Sequence, residues 1–200
     1  MNDAPSFRFE SSTHEYFLNG EKIPSITQML ESCGYIDDTY FTEECAERGT
    51  LVHSLTAQYD LGAISAAAAI ECIWKGYVLA YCGPQKSFHT TYRPQILSVE
   101  VARCSPQYRF GGRPDRTVKL WGVAGVLDLK TGGKAEWHKI QTALQAILVA
   151  PELRLPPTAV ARTSLYLKKN GKWKPDPHED THDFDKAYEV IKDCTTRVGA

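Results

Sequence analysis

No stretch of the 200-residue sequence approaches the roughly 20 consecutive apolar residues of a membrane-spanning helix. Nor does its start, Met1 to Glu10, carry a basic segment followed by a hydrophobic one. The expectation is a soluble, cytoplasmic chain without a membrane partner. Net charge is lacking too. Against 24 Asp and Glu stand 23 Lys and Arg, leaving −1 at pH 7, so any polyanion must be held by local patches rather than a global field. The six cysteines (Cys33, Cys45, Cys72, Cys82, Cys104 and Cys194) include no C-x-x-C pair. That argues against a zinc knuckle, gives no disulfide framework and predicts reduced, mostly buried thiols. Repeats, low-complexity tracts and linkers are also missing.

What remains is 42% hydrophobic residues in a length that suits one sizeable core, hence a single domain over 1–200. Residues 1–40 read as an N-terminal β-ribbon and helix, and 41–200 as the main body. In the ribbon, Phe7 and Phe9 alternate with polar residues, and Glu15 to Leu18 runs into the turn-prone Asn19-Gly20. Ser25 and Gln28 supply both halves of a capping box for a helix through about Cys33, ended by Gly34. Helical spacing then predicts helices over 42–59 and 65–82. A strand period takes over at Leu97, Val99 and Val101, followed by strands over 108–120 and 123–130 that should form a meander. A helix over 137–149 should end before Pro151, a strand over 159–167 should turn at Asn170-Gly171, and a last amphipathic helix should cover 184–198, capped by Asp183. The class is therefore α/β: a mixed central sheet flanked by helices, with an N-terminal β-ribbon.

Asp128 and Lys130 stand two apart on one strand, so they share a face while Leu127 and Leu129 turn to the core. A hairpin through Trp121-Gly122 would fold Asp115 back beside Asp128. Two neighbouring carboxylates resist joint ionisation unless a cation lies between them, and a hard divalent ion such as Mg²⁺ supplies that charge. Taken alone, a D-x-K triplet fits surface salt bridges as well as it fits a site.

The order Gly112-x-x-Asp115, Asp128-x-Lys130 and a glutamine-bearing helix, preceded by Arg48-Gly49 and His53, resembles the RecB-like branch of the PD-(D/E)xK nucleases. The likeness spans roughly His53 to Leu148, and Ile23-Pro24-Ser25-Ile26-Thr27 is similar to the opening of phage-type exonucleases. The resemblance implies a restriction-endonuclease-like core that cuts DNA, as an exonuclease of recombination, repair or phage DNA metabolism. It implies Asp115 and Asp128 as metal ligands, joined by the His53 imidazole, for which Gly49 leaves room, and by the Leu129 carbonyl. Lys130 would position the attacking water and Gln141 would hydrogen-bond near the scissile phosphate. Glu100 occupies a place where many relatives carry an acid for a second metal. Four residues after Gln141 the family usually shows Tyr, whereas here stands Gln145, which reads as a solvated position. Mg²⁺ or Mn²⁺ is the implied cofactor, His53 tilting preference to Mn²⁺. An iron–sulfur cluster is not expected, since only Cys194 lies near the end.

Arg109, Arg113, Arg116 and Lys119 flank the site strands, while Lys168, Lys169, Lys172 and Lys174 surround the Asn170-Gly171 turn beside Trp173. They offer phosphate contacts and an aromatic face for a base. Edge lysines that prevent strand-to-strand association are the other reading of the turn. Two alternatives accompany the exonuclease: a catalytically silent nucleic-acid-binding relative, and a restriction-type endonuclease. A recombination partner protein and an oligomer are both compatible with the sequence.

Overall fold

A computed structural model describes residues 5–36 and 42–197 of the chain; Val198, expected on the last helical stripe, lies outside them. Alternating apolar residues fold the N terminus into a three-stranded antiparallel ribbon of β1 (Phe7–Glu10), β2 (Glu15–Leu18) and β3 (Glu21–Ile23). The first helix, α1 (Ile26–Ser32), starts at the capping box: Ser25 Oγ accepts from the Gln28 amide, and Gln28 Oε1 accepts from the Ser25 amide. Helices α2 (Glu43–Asp60), α3 (Ala66–Ala69), α4 (Lys75–Cys82) and α5 (Phe88–Tyr92) follow. Then come β4 (Gln95–Val99), β5 (Arg103–Ser105), β6 (Phe110–Gly112), β7 (Arg116–Leu120) and β8 (Val123–Lys130). Helix α6 (Trp137–Leu153), β9 (Ala161–Leu167), β10 (Trp173–Pro177) and α7 (His182–Arg197) complete the order.

The architecture is mixed α/β. A five-stranded sheet in the order β10-β9-β8-β7-β4 is antiparallel except where β9 lies parallel to β8, with α6 as the crossover. Alternation along β8 divides the core: Val126 faces α1, α6 and α7, whereas Leu127 and Leu129 face α2, α4 and α5. Among the described residues no helix is long and apolar enough to cross a membrane.

Several elements depart from expectation. The helix read over 65–82 is two, because Ile73 turns outward at 81% exposure and the apolar stripe is broken without any Gly or Pro to mark it. The strand read over 108–120 splits into β6, which pairs with β5, and β7, which joins the main sheet. Helix α6 runs through Pro151 to Leu153; a proline in the last turn forfeits one hydrogen bond, and Arg154 in the left-handed conformation closes the end. The strand read through Val101 ends at Val99: pairing continues past a register shift between Ile96 and Ser98, and Glu100 then takes a left-handed backbone conformation. Asp183 sits inside α7 and pairs with Arg162 rather than preceding the helix as its cap. Of the six cysteines only Cys82 and Cys194 are buried.

A buried ion pair joins α2 to the central sheet. Arg116, at the start of β7, donates through Nε to Asp60 Oδ2 at the end of α2, and neither side chain has any exposed surface. Tyr81 donates to the same carboxylate at 2.6 Å, and His89 Nε2 lies 2.9 Å from its other oxygen. The Asp60→Ala substitution should leave Arg116 charged and unpaired in the core, at a cost of about 3–5 kcal/mol in urea unfolding. Asp60→Ala combined with Arg116→Met should recover most of that loss, and a single variant as stable as the wild type would contradict the assignment.

Candidate active site

The hairpin of β7 and β8 brings the two aspartates together. Arg116 opposes Leu127 in the register, so Asp115, one residue before Arg116, stands beside Asp128. Asp115 Oδ2 accepts the Leu129 amide at 2.7 Å, which fixes its carboxylate to the neighbouring strand. Gly112 lets β6 pack closely on α1 and α6: a Cβ there would lie 2.6 Å from Ile26 Cδ1 and 2.8 Å from Leu148 Cδ1. Gly111 donates its amide to the Pro24 carbonyl at 2.9 Å, tying this segment to the chain entering α1.

Around this pair the other polar groups form two hydrogen-bonded halves. On one, His53 of α2 places Nδ1 3.3 Å from Asp115 Oδ1. On the other, Lys130 Nζ lies 2.7 Å from Asp128 Oδ2 and donates to Gln141 Oε1 at 2.7 Å, with the Trp137 ring centroid 5.0 Å away. Gln145 donates Nε2 to Asp128 Oδ1 at 2.9 Å. The reading of Gln145 as solvated is therefore corrected: it is buried, because the inner edge of α6 packs directly over the strand that carries Asp128.

Electrostatics separates the two carboxyls. Burial acts to raise Asp115, but the charge and hydrogen bond of His53, with Lys130 and the Leu129 amide, hold it at about 2 against an ordinary 3.8. Burial pushes Asp128 upward, with the charge of Asp115 adding to it, in spite of Lys130 and Gln145. His53 is lowered by burial, yet the Asp115 carboxylate outweighs this and leaves it raised above 6.5.

Two clefts meet at the site. One, of about 520 Å³, is lined by Gly49, His53, Glu100 and Asp115; the other, of about 420 Å³, by Gln28, Gln141 and Gln145. His14, from the turn between β1 and β2, and Arg113 line both. A Cβ on Gly49 would meet nothing within 4 Å, so the helix face beside His53 stays open.

No protein-family model matches the chain, and no curated protein matches it.

The remaining sequence-derived candidates divide. Arg113 lies at the junction of the clefts, 3.3 Å from Glu100, which follows β4 in the left-handed conformation rather than standing on a strand. Leu129 is buried and serves the site through its amide. Arg116 is corrected as a phosphate contact, because its guanidinium is wholly enclosed by Asp60, Thr56 Oγ1 and the Asp115 carbonyl. Trp173 is half-buried, donating to the Lys86 carbonyl at 2.8 Å and packing on Phe88 and Tyr92, so its ring is committed internally. Lys168, Lys169 and Lys172 are exposed on the β9–β10 turn; the pairing of Lys130 with Tyr166 sets that turn beyond the sheet end that carries Lys130. His14, Trp137 and Asp60 were missed, for they belong to no motif and reach the site only through the fold.

Among the described residues no three His, Cys, Asp or Glu side chains form a ready-made metal-holding group. The donor chemistry still suits a hard divalent cation: a partly buried and a buried carboxylate side by side, an imidazole at the first, and an Asp128 Oδ2 that carries no aligned hydrogen bond despite its ion pair.

The His53–Asp115 pair has a pH signature. A depressed Asp115 contributes stability that is present above 3.8 and lost as pH falls through about 2. A raised His53 contributes stability that is present below 6.5 and lost as pH rises through its elevated value. In EDTA, the difference in urea midpoint between wild type and His53→Ala should therefore be largest between pH 3.8 and 6.5 and shrink on both sides. A difference that does not vary with pH would remove the ion pair.

Proposed function

We propose that the chain is a divalent-metal-dependent deoxyribonuclease of the PD-(D/E)xK type, nearest to the RecB-like and phage exonucleases. The observation that carries the reading is the cross-strand adjacency of Asp115, which lines one of the two clefts, and Asp128, held by Gln145 of the other, with Lys130 beside them. The order of Gly112, Asp115, Asp128, Lys130 and Gln141 along the chain supports the same class.

Asp115 and Asp128 would hold the cation, His53 adding a nitrogen donor. When bound, such an ion supplies positive charge to the phosphate as phosphorus becomes five-coordinate. Arg113 attracts the phosphate backbone to the cleft junction. Lys130, fixed between Asp128 and Gln141, directs its remaining N–H groups at the attacking water and holds its oxygen in line with phosphorus. Gln141 accepts from Lys130 through Oε1, which leaves its NH₂ to donate to a non-bridging phosphate oxygen. Gln145 holds Asp128 in one orientation and so fixes where charge is presented.

End-labelled linear and circular DNA, single- and double-stranded, incubated with Mg²⁺ or Mn²⁺ should be cut, linear ends first. Cutting of circles at the same rate favours the endonuclease, and binding without cutting favours the silent relative. Asp128→Asn, which keeps the shape of the side chain, should lower single-turnover cleavage by at least about a hundredfold. Wild-type cleavage in that variant would sink the site.

Lys130→Ala should reduce turnover far more than metal affinity, because an ammonium cannot ligate a cation. Calorimetric loss of Mn²⁺ binding as large as that of Asp128→Asn would contradict the role given to Lys130. His53→Ala should weaken Mn²⁺ binding and be rescued only in part by excess metal, since the lost ligand also sets the ion's position. Unchanged metal titration and cleavage would remove His53.

A further inference from the structure

The cleft on the α1 side is built differently from the one that holds His53. Its walls offer neutral amides and hydroxyls, and each amide is already oriented by one partner. Gln28 Oε1 is held by the Ser25 amide and Gln141 Oε1 by Lys130, which leaves the NH₂ of Gln28 for a ligand in the cavity and that of Gln141 for the phosphate beside it. Gln145 gives its Nε2 to Asp128, and its Oε1, in a side chain only 4% exposed, has no hydrogen-bond partner. A buried acceptor without a partner costs about 1–3 kcal/mol, and this one belongs to a residue of the cavity wall. Thr27 lines the same space. Lysine is absent from this lining; Glu31 stands in it, and the cation Arg113 sits where the two clefts join.

That distribution disfavours a phosphate inside the cavity and favours a flat, uncharged group with both donors and acceptors on its edge, beside a phosphate held at Arg113. Amide side chains pair with such edges through both their atoms, and unstacked bases are recognised in this way. The volume of about 420 Å³ lies in the range of roughly 300–1,000 Å³ usual for small-molecule sites.

We propose that this cavity is a nucleobase pocket, taking the base next to the phosphodiester held at Asp115 and Asp128, so that the substrate strand enters the site with that base unstacked. The inference rests on the reading of DNA as the ligand. It adds that binding depends on bases as well as on backbone charge.

The test is fluorescence anisotropy in EDTA, where cleavage cannot contribute, with three labelled single-stranded decamers: oligo-dA, oligo-dT and an abasic decamer of equal charge. The base-bearing strands should bind about tenfold more tightly than the abasic one. Thr27 is exposed on α1, and Thr27→Trp should fill the pocket and bring them down to the abasic level while leaving the abasic affinity unchanged. Should that variant not fold, competition on the wild type decides: adenosine or thymidine should displace the decamer, and ribose 5-phosphate should not. Equal affinity for base-bearing and abasic strands, no binding to any decamer, or displacement by the phosphosugar alone overturns the pocket. Cleavage of long DNA with Mn²⁺ is scored separately. Cutting without base dependence keeps the nuclease and loses the pocket, and base-dependent binding without cutting does the reverse.

Discussion

The geometry of the site hangs on a charge pair that takes no part in its chemistry. Asp60 closes α2 and Arg116 opens β7, and their enclosed contact fixes the helix carrying His53 against the strand that follows Asp115. Arg116 also donates to the Asp115 carbonyl at 2.7 Å, so the backbone at the aspartate is held from the same point. Burying two charges is expensive, and hydrophobic residues of similar volume often stabilise a core as well or better. What the pair contributes here is placement: a slip of α2 along the sheet would separate the two buried charges, so one register is selected.

The two carboxylates are handled by unequal surroundings. Asp115 has an imidazole and a backbone amide, while Asp128 has an ammonium and an amide side chain. Asp115 thus meets donors from α2 and the β8 backbone, and Asp128 from β8 and α6 side chains. Such division offsets part of the repulsion between neighbouring carboxylates.

Much of this was legible in the residues. Period-two alternation in β8 and the glycine turn at Gly122 were enough to put Asp115 beside Asp128, because hairpin pairing is local. The capping box at Ser25 was equally local. Arg116 was misread because a charge in a sequence carries no sign of the acid that will enclose it, here 56 residues away. Gln145 was misread for a related reason: its position beside the apolar stripe of α6 is visible, but the carboxylate waiting on the strand beneath is not. Glu100 looked like a strand residue because alternation persists through it; its amide still donates to the Asp115 carbonyl, but a φ of 47° ends β4 at Val99. Where a residue's role depends on a partner from another layer, periodicity falls silent.

The single parallel pair in the sheet also sets an order in time. Because α6 is the crossover between β8 and β9, the contacts of Asp128 and Lys130 with Gln145 and Gln141 span only 17 and 11 residues. The contacts that seat α2 span 56 and 60. Closing short loops costs less chain entropy and proceeds faster than closing long ones. The lysine side of the site can thus assemble within one stretch of chain, while the histidine side must wait for a distant helix to dock. The same asymmetry runs in reverse on partial opening: loss of α2 would strip Asp115 of His53 while leaving Asp128, Lys130 and the two glutamines in place.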